Sequence, residues 1–221
     1  MNAHDFIEAI KAGNIEQVTH ALDHDAALLN ATTDNGLSAV LVAAYYNEPQ
    51  IAQLLVQRGA ELSIFEAAAV GALDRVEGWI VAQPDLINAY APDGFQPIGL
   101  AAFFGHLPVV ELLLRVGAEV DAPSQNPMRV RPLHSAIANR RTAIAKLLIE
   151  YGADVNSTQA DDFTPLHEAA QNGLLELTQL LLERGAHVNA RLANGQTPLA
   201  LAIEQHHLEV EELLRRCGAE E

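Results

Sequence analysis

One phrase recurs along this chain, and its spacing dictates how the chain can fold. The stretches TPLHEAAQNGLLELTQLLLERGAHVNA, from Thr164, and GQTPLALAIEQHHLEVEELLRRCGAE, from Gly195, are near copies, and looser copies run back to the amino end. Aligned on the place held by Pro165, the copies fall at Asp5, Ala39, Ser63, Pro97, Pro132, Pro165 and Pro198, with successive spacings of 34, 24, 34, 35, 33 and 33 residues. A unit this short cannot bury its own apolar face. Neighbours must stack, and the product is an array of bricks rather than a globule around a central pocket.

Local chemistry predicts the brick. Thr164 and Thr197 suit a helix N-cap, where the hydroxyl accepts from orphan backbone N–H groups. Pro165 and Pro198 then stand at the first helical position, where the missing N–H is no loss. Ala169 and Ala170 keep one face thin so that a second helix can approach. Gly173 breaks the first helix. Leu177, Leu180 and Leu181 recur at helical spacing and give the second helix its buried stripe. Gly185 ends it, and the polar string AHVNARLANG reads as a turn. Extended to every copy, this predicts helix pairs over 5–12/15–23, 39–46/49–57, 63–70/73–82, 97–104/107–115, 132–139/142–150, 165–172/175–183 and 198–205/208–216, with little true strand.

The strings TPLHEAA (164–170), RPLHSAI (131–137), TPLALAI (197–203) and QPIGLAA (96–102), with the closing strings GAEVDA, GADVNS and GAHVNA, closely resemble the ankyrin repeat family over almost the whole chain. The resemblance implies an all-α ankyrin repeat solenoid of about seven helix-turn-helix units with projecting hairpin-like loops. It implies one domain over 1–221, with units at about 4–35, 36–60, 61–91, 92–126, 127–159, 160–192 and 193–221. The first and last units then act as caps. It also implies that His134 and His167 hydrogen-bond backbone near the loops and tie adjacent units together. Leu41, Gly99 and Ala200 replace that histidine elsewhere, so those joints must be held differently.

Lysine and arginine total 13 against 29 acids, a formal charge of −16. Such a surface argues against nucleic acid or an anionic membrane as the main partner. The lone cysteine, Cys217, permits no internal disulfide. No apolar run approaches a bilayer span, and the start MNAHDFIEAIKAGN lacks a secretory pattern. A cytoplasmic location is expected on these grounds. No nucleophile elbow and no glycine-rich phosphate loop occurs in the chain. His20 and His24 stand four apart but lack a third ligand, and a solvated surface pair is expected. The chain is therefore read as no enzyme, with no metal and no cofactor.

The bulky residues carry the functional expectation. In ankyrin arrays the two positions after the Ala-Ala pair, with the loop tips, line the concave side and usually carry partner contacts. Those pairs include Tyr45/Tyr46 and Phe103/Phe104, and the nearby loop positions add Tyr90 and Phe95. The expected site is a hydrophobic groove for a protein partner built from Tyr45, Tyr46, Tyr90, Phe95, Phe103 and Phe104, since exposed aromatics mark binding hot spots. The alternative is that half of these rings turn sideways to fill gaps. Ser63 stands only four positions after Gly59, so one projecting loop is missing beside this strip, while the loop through 124–129 is longer by two. These indels are either drift in a spacer or a notch and a knob along the row of loops. Arg129, Arg131, Arg140 and Arg141 form a basic strip expected to pair with Asp161, Asp162 or Glu119, with a carboxylate or phosphate ligand as the alternative. The reading overall is a monomeric, non-catalytic adaptor, inhibitor or regulatory subunit. The rivals are a self-assembling module such as a homodimer, and a small-molecule or enzymatic site in the groove.

Overall fold

The structure, a computed structural model, describes residues 1–220. The chain forms two compact units, one spanning Met1–Pro97 and the other beginning at Ile98. The first contains α1 (Ala3–Lys11), α2 (Ile15–His24), α3 (Ala39–Tyr45), α4 (Pro49–Gln57), α5 (Ile64–Val70) and α6 (Leu73–Ala82). Helix α7 (Pro97–Phe104) starts at the boundary, followed by α8 (Leu107–Arg115), α9 (Pro132–Ala138), α10 (Thr142–Glu150), α11 (Pro165–Gln171), α12 (Leu175–Glu183), α13 (Pro198–Glu204) and α14 (Leu208–Arg216). These are the seven expected pairs, with ends within two residues of the predicted ones. Among the described residues the sole β pairing is an isolated bridge between Thr32 and Ser38.

The helices start where cap chemistry predicts. Thr164 accepts from the His167 amide and Thr197 from the Ala200 amide, with Pro165 and Pro198 as first helical residues. Ser38 caps α3, and Ser63 caps α5 in a reciprocal box with Glu66. The first helices stack in rows, α1 on α3 on α5 in one unit and α9 on α11 on α13 in the other, with the second helices behind them. The cores sit between these layers and are filled by Phe6, Ile10, Leu41, Leu55 and Ile64 in the first unit, and by Leu113, Leu133, Ile137 and Leu148 in the second.

Polar ladders lock the second unit. His134 Nε2 donates to the Phe163 carbonyl at 3.0 Å and His167 Nε2 to the Gln196 carbonyl at 3.3 Å. Each bond spans 29 residues, so each ties one brick to the next as the resemblance implied. A second ladder escaped the sequence reading. Asn156 donates to the Gly185 carbonyl at 3.0 Å and accepts from the His187 amide at 2.8 Å. Asn189 repeats both contacts with Gly218 and Glu220. Asp121 holds the same place in GAEVDA but, as a carboxylate, can only accept, which it does from the Asp154 amide.

Three short 3-10 turns, Ala26–Asn30, Pro84–Asn88 and Ala160–Asp162, were not foreseen. The first two follow α2 and α6, where no glycine ends the helix. Instead of a left-handed residue such as Gly59 or Gly185, the chain becomes extended at Asp25 and Gln83 (φ −145° each) and then recoils.

Candidate functional site

The residues of α3 explain why two tyrosines emerge together. Ala39, Val40, Leu41, Val42 and Ala43 are buried, so the helix spends its first five positions on the core. Tyr45 and Tyr46 then fall at its carboxyl end, where the row of first helices gives out. Tyr46 is 51% exposed. The Lys11 ammonium lies over its ring, 5.8 Å from the centroid, and is tied to Glu8 at 2.7 Å.

Tyr45 is half-buried, and its hydroxyl donates to Asp93 Oδ2 at 2.7 Å. Burial first, and the Asp93 charge second, push the phenol's pKa upward, so it stays a neutral donor. Asp93 Oδ1 in turn accepts from the Phe95 amide, and the Ala91 amide donates to the Phe95 carbonyl, closing the loop that carries Tyr90 and Phe95. Tyr90 and Phe95 are also half-buried. The structure thus joins Tyr45 directly to the loop bearing two other predicted site residues. In the second unit Phe103 and Phe104, half-buried at the end of α7, meet edge to face at 5.0 Å between centroids. None of the six rings is fully buried, and Tyr46 is the most open of them.

The missing loop has a consequence that sequence reasoning only half found. Where the hairpin-like loop is absent, an open cleft of about 1020 Å³ is lined by Val56, Leu62, Leu73, Gly78 and Trp79 among others. Trp79 donates Nε1–H to the Leu62 carbonyl at 2.8 Å. The signal was available: Trp79 stands where five of the other second helices carry Leu55, Leu113, Leu148, Leu181 and Leu214, and α2 carries Ala21. The larger side chain occupies space that a loop covers elsewhere, and its N–H satisfies the connector's backbone.

The arginines require a correction. Among the described residues no salt bridge joins Arg129, Arg131, Arg140 or Arg141 to Asp161 or Asp162, the partners expected in the neighbouring loop. The four arginines are placed in different ways. Arg140 takes the left-handed place (φ +56°) that Gly105 and Gly173 fill in neighbouring bricks, and Arg129 is left-handed as well (φ +51°). Arg141 packs against Gly105, with Cζ 2.8 Å from where a Cβ would stand. Arg131 turns inward and donates to the Asp121 carbonyl.

His20 and His24 are an exposed pair with ring centroids 4.2 Å apart, and His24 Nδ1 bonds the His20 carbonyl. Among the described residues no group of three or more His, Cys, Asp or Glu is placed to hold a metal ion. On α11, Glu168 is half-buried, and desolvation raises its carboxyl to about 7 despite a bond from Asn172. No helix is long and apolar enough to cross a membrane among the described residues.

Comparison with known proteins agrees with this architecture. The family described as ankyrin repeats (3 copies) matches residues 64–159 and 152–221, and the chain belongs to the ankyrin repeat family. Ankyrin repeats generally mediate protein–protein interaction and are generally non-enzymatic. The human NAD-capped RNA hydrolase NUDT12 is 37% identical over 85 residues, covering 38% of this chain and 18% of that protein. A putative ankyrin repeat protein of fowlpox virus, FPV014, is 27% identical over 162 residues, covering 68% of this chain and 36% of its own length. The human transient receptor potential cation channel subfamily A member 1 is 27% identical over 157 residues, covering 68% of this chain and 12% of the channel. The chain therefore spans about a third or less of these relatives.

Proposed function

We propose that the chain is a non-catalytic protein-recognition module, an adaptor, inhibitor or regulatory subunit working in the cytosol. Its contact surface is centred on Tyr45, Tyr46, Tyr90 and Phe95, and Phe103 with Phe104 forms a contact of the second unit. One observation carries this reading: Tyr46 leaves half its ring in water beside Tyr45 and the Asp93–Phe95 loop, on helix and loop ends that the stack does not cover. Partly wet aromatic rings on a rigid scaffold supply contact area at little entropic cost.

The test compares capture of partners from the source cell by the natural chain and by Tyr46→Ala and Phe95→Ser variants. Loss of specific partners with an unchanged melting temperature supports the surface. Undiminished capture by both variants refutes it. A mass that rises with concentration in light scattering, lost in Tyr46→Ala, would instead identify a second copy as the occupant.

A further inference from the structure

The Tyr46 edge already holds a cation, and that cation belongs to the chain itself. Lys11, the last residue of α1, places its ammonium over the Tyr46 ring and on the Glu8 carboxylate. Asp34, at an exposed loop tip, adds a third attraction: Glu8 first, then Tyr46 and Asp34, raise the affinity of Lys11 for its proton. Asp34 makes no side-chain hydrogen bond or ion pair among the described residues. The Glu48 carboxylate lies against Gly13 in the adjoining turn, and Asp93 stands by Tyr45. A ring face with a carboxylate at its side is chemistry for an ammonium or guanidinium group.

The surroundings extend that chemistry. Residues 1–97 carry 13 acids against 3 bases, so the first unit holds −10 of the chain's formal net charge of −16. Two of those bases, Lys11 and Arg58, are already paired with Glu8 and Asp23. Beside the cation corner lie the half-buried faces of Tyr45, Tyr90 and Phe95. A complementary partner must bring positive charge and apolar side chains together. Two macromolecular classes fail this requirement: nucleic acids and anionic membranes are repelled by the same field.

We propose that the Tyr46 edge docks a basic segment of a partner protein, an arginine or lysine of which displaces Lys11 from the Tyr46 ring and from Glu8. Lys11 is thus a built-in stand-in that keeps the corner neutral until the partner arrives. This rests on the recognition reading above and names the chemistry of its partner. An arginine suits the corner best, because its planar guanidinium can stack on the ring while bonding a carboxylate. The displaced Lys11 ammonium passes to solvent, still within reach of Asp34.

The test uses fluorescence anisotropy with the whole chain and two labelled peptides, one alternating arginine and leucine and one alternating glutamate and leucine. Net charge alone attracts the first peptide, so the variants decide. Lys11→Met vacates the corner and should tighten binding by about three- to tenfold, the range of one cation–ring contact. Arg75→Met removes the same charge elsewhere in the first unit and should change binding by less than about twofold. Tyr46→Ala and Glu8→Gln should each weaken binding by about threefold or more, while Tyr46→Phe, which keeps the ring, retains it.

Equal tightening by Lys11→Met and Arg75→Met overturns the proposal, because the peptide is then held by charge without a site. Natural affinity in Tyr46→Ala, or preference for the glutamate peptide, overturns it equally. Should Tyr46→Ala melt early, Tyr46→Leu against Tyr46→Phe makes the same comparison. If Tyr46→Ala abolishes partner capture while the charge variants leave peptide binding unchanged, the recognition surface survives and the basic partner does not.

Discussion

Acid should loosen the second unit through one histidine, and the effect has a size that the structure sets. His134 is fully buried, its Nε2 donates to the Phe163 carbonyl, and its Nδ1 has no partner. A second proton would place an unpaired charge in the core. Burial accordingly lowers its pKa from 6.5 to about 4. Below the unfolded value the unfolded chain takes up a proton that the native chain refuses, so stability falls as pH drops from 6.5 towards about 4 and levels off beneath that. Each pH step of one between those limits removes about 1.4 kcal/mol, and the full loss is about 3 kcal/mol.

His167 is lowered in the same direction by burial. Glu168 works against both. Its carboxyl, raised to about 7, takes up a proton in the native chain first, so stability rises as pH falls from there towards 4.5. Being half-exposed, it offsets only part of the histidine effect. The profile of the natural chain is therefore flattened, and substitutions are needed to expose its parts.

His134→Gln keeps a donor for the Phe163 carbonyl but cannot titrate. Urea unfolding at steps between about pH 7 and pH 4 should show the natural chain losing about 3 kcal/mol relative to this variant. Glu168→Gln should steepen the decline instead. An NMR titration of the His134 ring checks the origin directly. A ring that titrates near 6.5, or a stability difference between natural chain and His134→Gln that ignores pH, refutes the reasoning.

Three further outcomes follow from specific contacts. Gly173→Ala forces a side chain into a left-handed backbone (φ +67°) with its Cβ 2.5 Å from His207 Nδ1, and should cost about 1–3 kcal/mol. Adding His207→Ala should recover the steric share and leave about 1 kcal/mol, so strict additivity in a double-mutant melting cycle would contradict the clash. Asn156→Ala removes both ladder contacts, for about 1–3 kcal/mol, and Asn156→Asp, which can only accept, should fall between; an aspartate variant as stable as the natural chain would show that the donor is idle. Trp79→Leu restores the leucine of five other bricks yet should destabilise by about 2–4 kcal/mol, because the cleft widens and the Leu62 carbonyl loses its donor; unchanged urea unfolding would remove Trp79 from its role as loop substitute.

Helix starts were legible because they obey short-range rules: a proline at the first position and a hydroxyl just before it act within one turn, whatever lies beyond. The 3-10 turns were not, because they depend on a glycine being absent after α2 and α6, and an absence carries no local mark. The six aromatic residues were placed on helix and loop ends by their register within the repeat that the family resemblance supplies. Their half-burial was not legible, since it depends on contacts such as Tyr45 to Asp93, which are 48 residues apart. The arginine pairing failed for a related reason. Sequence proximity put charges near one another, but Arg131 spends its guanidinium on the Asp121 carbonyl and Arg141 packs against Gly105, contacts that the sequence does not mark.

RPLHSAI and TPLHEAA show how a single position inside one motif changes the physics. In the second, Thr164 caps α11 and its hydroxyl also meets His167 Nδ1 at 2.8 Å, so every polar atom of that imidazole is engaged. In the first, Arg131 stands in the threonine's place. It offers no cap, it leaves His134 Nδ1 and its own Nε buried without partners, and it spends its guanidinium on the Asp121 carbonyl. Unpartnered buried polar atoms each cost about 1–3 kcal/mol, so this joint is held less well than its neighbour although the two strings look interchangeable. A repeat's pattern therefore reveals which seat each residue takes, whereas the strength of a joint depends on whether the adjoining seats hold chemically matched partners. The joint between α9 and α11 is accordingly where acid should open the second unit first.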